Sequence, residues 1–220
     1  IAGQLTETNP TIVITVPRLL DKIYNKLINS SEDMKDGFKK KISKWAMKTA
    51  RNGSRESKNS LKWKAADRLV YKKIREKTGG KIRFFVSGGG ALNKSIGDFF
   101  EMTGIEILEG YGMTETSPVI SVNPPHKNKY GTVGLPLSGV EVRLSEENEI
   151  LVKGDLVMNG YYKDELATRE VIKDGWLYTG DIGLFDEDGY LKITDRKKSL
   201  MKTSGGKYVS PTQIEDLILN

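Results

Sequence analysis

Cysteine is absent from the sequence and histidine occurs once, as His126, so several kinds of site are excluded. Without cysteine there are no disulfide bonds, and with one histidine a zinc site lacks its usual ligands. Catalysis by a Cys–His pair is excluded too, and only His126 could take part in a Ser–His arrangement. His126 follows Pro124 and Pro125 and precedes Lys127, which is typical of an exposed loop.

Long apolar stretches are missing as well. No run reaches the roughly 18 residues that a transmembrane helix requires. The chain begins Ile1-Ala2-Gly3-Gln4, without a start methionine and without the basic and apolar regions of a signal peptide. These absences predict an internal fragment of a longer cytoplasmic protein, and the lack of cysteine suits a reducing compartment.

Acidic residues are scarce in one segment, whereas the chain as a whole carries a net charge of only +6. Residues 34–83 contain 18 Lys and Arg but 4 Asp and Glu, which gives this segment +14 and the remainder −8. Apolar residues at helical spacing within it predict two amphipathic helices whose lysines face solvent. A peripheral contact with anionic membrane lipid is the alternative, since each basic residue near such a surface adds roughly 1 kcal/mol. Nucleic acid is not expected, because the segment has no stacking or base-reading motif.

Two strand–helix patterns occupy the first half of the chain. The β-branched run at residues 11–16 predicts a buried strand, and Pro17 then fits the first turn of a helix. Residues 82–86 and 105–108 predict two further strands on either side of a helix that Asn93 can cap. Strands that alternate with helices predict a parallel sheet, and the ligands of such sheets gather beyond the carboxyl ends of the strands.

The carboxyl ends of the second and third strands are rich in glycine. Gly88, Gly89 and Gly90 follow the second strand, and Gly110 and Gly112 follow the third. Glycine lets the backbone turn sharply and come close to a ligand, so both stretches predict turns that line one crevice. A tight turn without a ligand is the simpler alternative for each.

The second glycine-rich stretch, which Glu109 precedes, also carries distinctive side chains. The ring of Tyr111 can stack on a base, and the hydroxyl of Thr114 can donate to phosphate oxygens. The carboxylate of Glu115 can bind Mg²⁺ through one or two contacts. A glycine-rich turn with a surface glutamate is the alternative for these residues taken alone.

From residue 131 the pattern becomes typical of antiparallel strands. Residues 140–144 and 149–153 alternate between apolar and polar, which predicts a hairpin with one solvent-facing side. Farther on, Asp181 lies between two glycines, which predicts a turn whose carboxylate can accept both hydroxyls of a ribose. The guanidinium of Arg196 can bind ribose or phosphate oxygens. The alternatives are a plain Asp-containing turn and a solvated run of basic residues.

Three motifs together resemble those of the adenylate-forming enzymes, the superfamily of acyl-CoA synthetases, luciferases and the adenylation domains of peptide synthetases. In family order they are Tyr111-Gly112-Met113-Thr114-Glu115, Trp176-Leu177-Tyr178-Thr179-Gly180-Asp181 and Asp195-Arg196-Lys197-Lys198. The stretch from Val16 to Tyr24 is similar to a segment that borders the fatty-acyl tunnel of long-chain acyl-CoA synthetases. The likeness covers nearly the whole chain and is strongest to the bacterial members of that group.

The resemblance implies that a long-chain fatty acid reacts with ATP and Mg²⁺ to give acyl-AMP, and that the acyl group then passes to CoA. Tyr111 would stack on adenine, Asp181 and Arg196 would bind the ribose, and Glu115 would bind Mg²⁺. The catalytic candidates are Thr114, Glu115 and Arg196. The candidates for binding ATP, AMP or CoA are Gly88, Gly89, Gly90, Glu109, Gly110, Tyr111, Gly112, Thr114, Asp181, Arg196, Gly205 and Gly206.

The motifs and the strand pattern together predict an α/β fold. Residues 1–130 would form the C-terminal portion of a large αβ domain with a parallel sheet, and 131–195 a small antiparallel β-subdomain. Residues 196–220 would form a hinge and the start of a small C-terminal α+β domain. A phosphate-binding loop and a catalytic lysine of the family would lie outside this sequence, so we expect the fragment itself to be inactive.

Several alternatives stay open at this level. An acyl-AMP ligase or an aryl-CoA synthetase would carry the same motifs. A non-catalytic module that binds lipid or nucleic acid through residues 34–83 belongs to a different class, and it predicts no use for Asp181. The exposed edge of an incomplete sheet also favours homodimers.

Overall fold

The computed structural model of the protein describes residues 2–35, 37–58, 60–199, 201–202 and 208–209. The chain divides into two compact units, Ile1–Glu109 and Gly110–Asn220. The helices are α1 Ala2–Thr8, α2 Pro17–Glu32, α3 Gly37–Asn52, α4 Leu61–Ala66, α5 Lys72–Lys77, α6 Lys94–Met102 and α7 Glu165–Val171. The strands are β1 Ile12–Thr15, β2 Phe84–Ser87, β3 Glu106–Gly112, β4 Val119–Val122, β5 Leu135–Pro136, β6 Glu141–Leu144, β7 Glu149–Lys153, β8 Ile172–Lys173, β9 Trp176–Phe185, β10 Leu191–Arg196, β11 Met201–Lys202 and β12 Tyr208–Val209.

The first unit contains the predicted strand–helix pattern. Strands β1, β2 and the first half of β3 pair in parallel. Helix α2 begins at Pro17, as predicted. Proline has no backbone N–H, but an N–H in the first turn of a helix has no partner within the helix, so nothing is lost there. Asn93 caps α6 by accepting a hydrogen bond from the Ser95 amide at 2.9 Å, and Gly104 follows the helix at φ 81°. The predicted parallel sheet and its capped helix are confirmed.

The basic segment is helical, and its buried faces match the predicted ones in part. In α3 the residues that pack inward are Ala46, Met47 and Ala50. Phe38, which the helical spacing assigns to the buried side, is 75% exposed, and Trp45 is 38% exposed. Ala46, which the spacing also assigns to the buried side, is buried as predicted, and the inward face continues through Met47 and Ala50.

The second helix of this segment contains a π turn. Residues Asp67–Tyr71 join α4 to α5, and the Lys72 amide donates to the Asp67 carbonyl five residues earlier. The spacing of Leu61, Ala65 and Leu69 predicts a buried stripe, but Leu61 is 87% exposed. The same spacing also assigns Ala66, Val70 and Ile74 to the buried side, and Ala66 and Ile74 are buried as predicted. The extra residue of the π turn shifts the helical phase, so Tyr71 rather than Val70 is buried there.

The second unit is built from antiparallel strands. The last residues of β3 pair with β4, and β4 pairs with β5. A second sheet has the order β10-β9-β7-β6, with β8 beside β9, and β11 pairs with β12. The predicted hairpin is confirmed as β6 and β7. Glu141 and Arg143 of β6 are exposed in the predicted alternation, whereas residues 149–152 of β7 are all buried.

The structure as a whole is a mixed α/β fold, in agreement with the sequence. The predicted domain boundaries at residues 130 and 195 stay predictions, and most of the predicted C-terminal domain lies outside the described residues. Within the part of the chain that the structure describes, none of the helices combines the length and the apolar character needed to cross a membrane.

Candidate functional site

The predicted turn at Gly110–Gly112 is wrong, because β3 runs straight through it. The two glycines have no left-handed backbone angles, and the strand exchanges its parallel partner β2 for the antiparallel partner β4. Position 112 requires glycine, because a Cβ there would lie 1.8 Å from the Pro118 carbonyl oxygen. The chain reverses direction after the strand, in a 3₁₀ turn at Thr114–Thr116.

Tyr111 lies within this strand and joins a buried cluster. Its neighbours in the cluster include Ile120, Ile150, Val152 and Leu191. The Tyr111 hydroxyl donates to Oδ2 of Asp181 at 2.6 Å, a contact between residues 70 positions apart. Burial raises the pKa of Tyr111, and the hydrogen bond to the Asp181 carboxylate raises it further. Only 8% of the residue is exposed, so its predicted stacking on adenine stays a prediction.

Asp181 does not lie in the predicted turn but in strand β9. The register between β9 and β7 shifts between Glu149 and Leu151, and Gly180, at φ 74°, lies in the bulge on β9. Such a positive φ favours glycine. The Gly180 amide donates to Oε1 of Glu149 at 3.0 Å. A β-bulge re-aims the side chain that follows it, and here that side chain is Asp181.

Arg196 faces Asp181 across the β9–β10 pair. Its Nε lies 3.2 Å from Oδ1 of Asp181, while Tyr111 donates to the other carboxylate oxygen. The Arg196 side chain is 78% exposed and that of Asp181 is 9% exposed. A carboxylate offers about four lone-pair directions, so Asp181 can accept further hydrogen bonds beside these two. The structure thus brings together the two residues expected to bind ribose, although they were identified in separate motifs.

Thr114 and Glu115 occupy the turn that follows β3. Thr114 is exposed, and Oε1 of Glu115 accepts a hydrogen bond from the Tyr161 hydroxyl at 2.9 Å. That hydrogen bond is the main cause of a raised pKa of Tyr161. The described residues contain no cluster of three or more acidic or histidine side chains that could hold a metal. At nucleotides Mg²⁺ is usually held by one or two carboxylates together with phosphate oxygens and water. The binding of Mg²⁺ by Glu115 stays a prediction.

The remaining candidates divide between the first unit and the end of the chain. Gly88, Gly89 and Gly90 follow β2 in the first unit, and Gly89 has a φ of 77°. Glu109 is buried there and its Oε1 accepts a hydrogen bond from the Leu92 amide at 3.4 Å. Gly205 and Gly206 lie outside the described residues.

Two charged residues near Asp181 were missed by the sequence analysis. Glu149 is buried, and its Oε2 lies 2.8 Å from Nζ of Lys197. Lys197 also pairs with Glu147 at 2.8 Å, and these two hydrogen bonds raise the pKa of Lys197. The only sequence signal for Glu149 was its position as a glutamate at the start of an apolar strand. Nothing in the sequence indicated that it pairs with Lys197, which lies 48 positions away.

The chain is similar to known proteins that agree with these motifs. The AMP-binding enzyme family matches residues 1–162. A long-chain-fatty-acid–CoA ligase of Mycobacterium bovis is 41% identical over 214 residues, which is 94% of this chain and 35% of that protein.

Solved structures give the same picture. O-succinylbenzoate coenzyme A synthetase from Bacillus subtilis, in complex with ATP and magnesium ion, is 32% identical with a TM-score of 0.58, covering 64% of this chain and 32% of that chain. ATP-bound MatB from Rhodopseudomonas palustris is 26% identical with a TM-score of 0.68, covering 98% of this chain and 37% of that chain. The chain spans about a third of the length of these proteins. With three motifs in order, a matching α/β fold and a family match over most of its length, the chain belongs to the AMP-binding enzyme family.

Proposed function

We propose that this chain is part of an ATP-dependent long-chain-fatty-acid–CoA ligase. In the first step the fatty-acid carboxylate attacks the α-phosphate of ATP, giving acyl-AMP and pyrophosphate. In the second step the CoA thiol attacks the acyl carbon and AMP leaves. The identity of 41% to a ligase of this kind supports the proposal. The observation that carries it is the contact of Asp181 with both Tyr111 and Arg196, which unites the three motifs in one place.

Asp181 and Arg196 are the proposed ribose-binding pair. Asp181 is held by the Tyr111 hydroxyl on one oxygen, so the carboxylate is oriented before any nucleotide arrives. Its remaining lone pairs can accept the ribose hydroxyls, and the exposed Arg196 guanidinium can donate to ribose or phosphate oxygens. Orientation of this kind lowers the entropy that binding would otherwise cost.

Thr114 and Glu115 are the proposed phosphate and metal residues. The Thr114 hydroxyl is exposed and can donate to a phosphate oxygen, and the Glu115 carboxylate is held in place by Tyr161. When bound, Mg²⁺ would neutralise the charge that develops on the phosphates. Gly205 and Gly206, which lie outside the described residues, are proposed to contact CoA in the second step.

An aryl-CoA synthetase is the second candidate. It is favoured by the similarity to O-succinylbenzoate coenzyme A synthetase, which reaches 32% identity over part of the chain. An acyl-AMP ligase, which would stop after the first step, is distinguished by its failure to use CoA.

We also propose that the first unit of the ligase contacts anionic membrane lipid. Phe38 and Leu61 are exposed at 75% and 87% within the segment of net charge +14. On α3, Lys44, Lys48 and Arg51 line an open cleft of about 380 Å³. Exposed apolar side chains among basic ones suit a bilayer surface. Sedimentation with anionic and with neutral phospholipid vesicles tests this, and equal binding to both would contradict it. Homodimerisation stays a prediction from the sequence.

The ligase activity is tested on the complete protein that contains this chain. The protein is given ATP, Mg²⁺, CoA and a mixture of long-chain fatty acids and aryl acids, and the products are identified by mass spectrometry. We expect long-chain acyl-CoA, with loss of product in an Asp181→Ala variant. Aryl-CoA alone would select the second candidate, acyl-AMP without acyl-CoA would select the third, and no acid-dependent product would refute the enzyme class.

A further inference from the structure

Glu149 is a buried carboxylate whose two oxygens have different partners. The residue is 4% exposed, Oε1 accepts from the Gly180 amide at 3.0 Å, and Oε2 pairs with Lys197 at 2.8 Å. A buried charge is costly unless it is paired and hydrogen-bonded, and Glu149 has both kinds of partner.

Both partners of Glu149 are chain neighbours of the proposed ribose-binding residues. Gly180 precedes Asp181 in the bulge of β9, and Lys197 follows Arg196 at the end of β10. Glycine at a positive φ is conformationally free, so the Gly180 peptide needs a fixed acceptor to hold one orientation. Glu149 supplies that acceptor. Through Lys197 it also holds the end of β10, where Arg196 faces Asp181.

We propose that Glu149 is a positioning residue for nucleotide binding, an inference that rests on the proposed function. It fixes the peptide that aims Asp181 and, by its ion pair with Lys197, the backbone that carries Arg196. Its own oxygens are taken by Gly180 and Lys197, so it acts on the ribose through its neighbours. The orientations of Asp181 and Arg196 therefore both depend on the buried carboxylate of Glu149, which lies on strand β7.

The readout is the preference for ATP over 3′-deoxyATP, measured as the ratio of kcat/KM values in the complete protein. Loss of a positioned Asp181 removes discrimination between these nucleotides, whereas general damage to the fold lowers both rates equally. In Glu149→Gln the single amide oxygen can accept from the Gly180 amide or from Lys197 but not from both, and the negative charge that pairs with Lys197 is gone. We expect the preference to fall about tenfold, since displacement of a positioning group by ~1 Å can cost up to 10²-fold.

Two further variants keep the test decisive. Lys197→Met changes a half-exposed side chain, so it should fold even where Glu149→Gln does not, and we expect the same fall in preference. Glu147→Gln is the matched control, because Glu147 shares Lys197 but is exposed and does not bond to Gly180. An unchanged preference in folded Glu149→Gln or in Lys197→Met would overturn the proposal, and so would an equal fall in Glu147→Gln.

An Asp181→Asn variant separates this inference from the function on which it rests. If wild-type protein prefers ATP and Asp181→Asn does not, the ribose role stands and the Glu149 result decides the positioning role. If Asp181→Asn keeps the preference, the proposed ribose site itself is wrong. A Glu149→Asp variant that restores part of the preference lost in Glu149→Gln would support a charge-dependent role.

Discussion

Replacement of Tyr111 by phenylalanine removes one buried hydrogen bond and leaves the aromatic ring in its cluster. The lost bond is short, at 2.6 Å, and it runs to a carboxylate whose residue is 7% exposed. A hydrogen bond to a charged group contributes about 1.5–3 kcal/mol, and its removal leaves a buried oxygen without that donor. We therefore expect Tyr111→Phe to lower the free energy of unfolding by about 2 kcal/mol. At this chain length that is a fall in Tm of roughly 4–8 °C.

The matched control is Tyr161→Phe, which also removes a tyrosine hydroxyl from a carboxylate. The bond from Tyr161 to Glu115 is 2.9 Å long, but Tyr161 is 38% exposed, so water can replace the lost donor. We expect a loss of no more than about 0.5 kcal/mol for this variant. The comparison isolates the effect of burial, because the chemical change is the same in both.

The assay is urea unfolding, with hydrogen exchange of the peptide that spans β9 as the readout. This peptide belongs to the unit that contains both tyrosines. The pKa of Tyr111 is raised by burial and by Asp181, so its hydroxyl stays protonated and the loss should not vary between about pH 6 and pH 9. Equal and small losses in the two variants would refute the reasoning. They would mean that the Tyr111–Asp181 contact is no stronger than one at the surface.

Three shorter predictions concern other parts of the second unit. In the complete protein, Glu115→Gln should lower the rate of pyrophosphate release on the order of 10²-fold, and a near-normal rate with unchanged Mg²⁺ dependence would rule out the metal role. Gly112→Ala should lower the free energy of unfolding by about 3 kcal/mol, the upper end of the usual cost of overpacking, because of the Pro118 carbonyl, and a wild-type urea midpoint would contradict this. The pKa of Asp186 is lowered, chiefly by the hydrogen bond from Lys129, so their pair stabilises the fold above the unfolded carboxyl pKa near 3.8 and is lost as pH falls through the folded value. Protection of the amides around Lys129, corrected for the intrinsic exchange rate at each pH, should therefore fall on acidification, and Lys129→Met should reduce that pH dependence.

The features that the sequence predicted correctly are those decided by local chemistry. Pro17 can begin a helix, Asn93 can cap one and Gly104 can end one, whatever the rest of the chain does. The alternation of apolar and polar residues in β6 and β7 is also a local pattern, and it predicted their pairing correctly. The three motifs also gave the family correctly, because each combines residue types that few other stretches contain.

The errors arise where a distant part of the chain decides the outcome. Glycines at 110 and 112 are compatible with a turn or with close backbone packing, and only the position of Pro118 distinguishes the two. Asp181 between glycines suggested a turn because its strand partners are not visible in a local pattern. Glu149 and Tyr111 reach their partners across 48 and 70 positions, a distance over which spacing carries no information.

The π turn at Asp67–Tyr71 amounts to an insertion that is absorbed inside a helix rather than in a loop. One extra residue rotates every later side chain by about 100° around the helix axis. Arg75 lies beyond the turn, so its bonds to Asp67 at 2.6 Å and to the Thr103 carbonyl at 2.7 Å depend on that rotation. A regular α-helix would need one residue fewer to present the same groups. The number of residues in this helix, as much as their identity, therefore determines which of them the first unit buries.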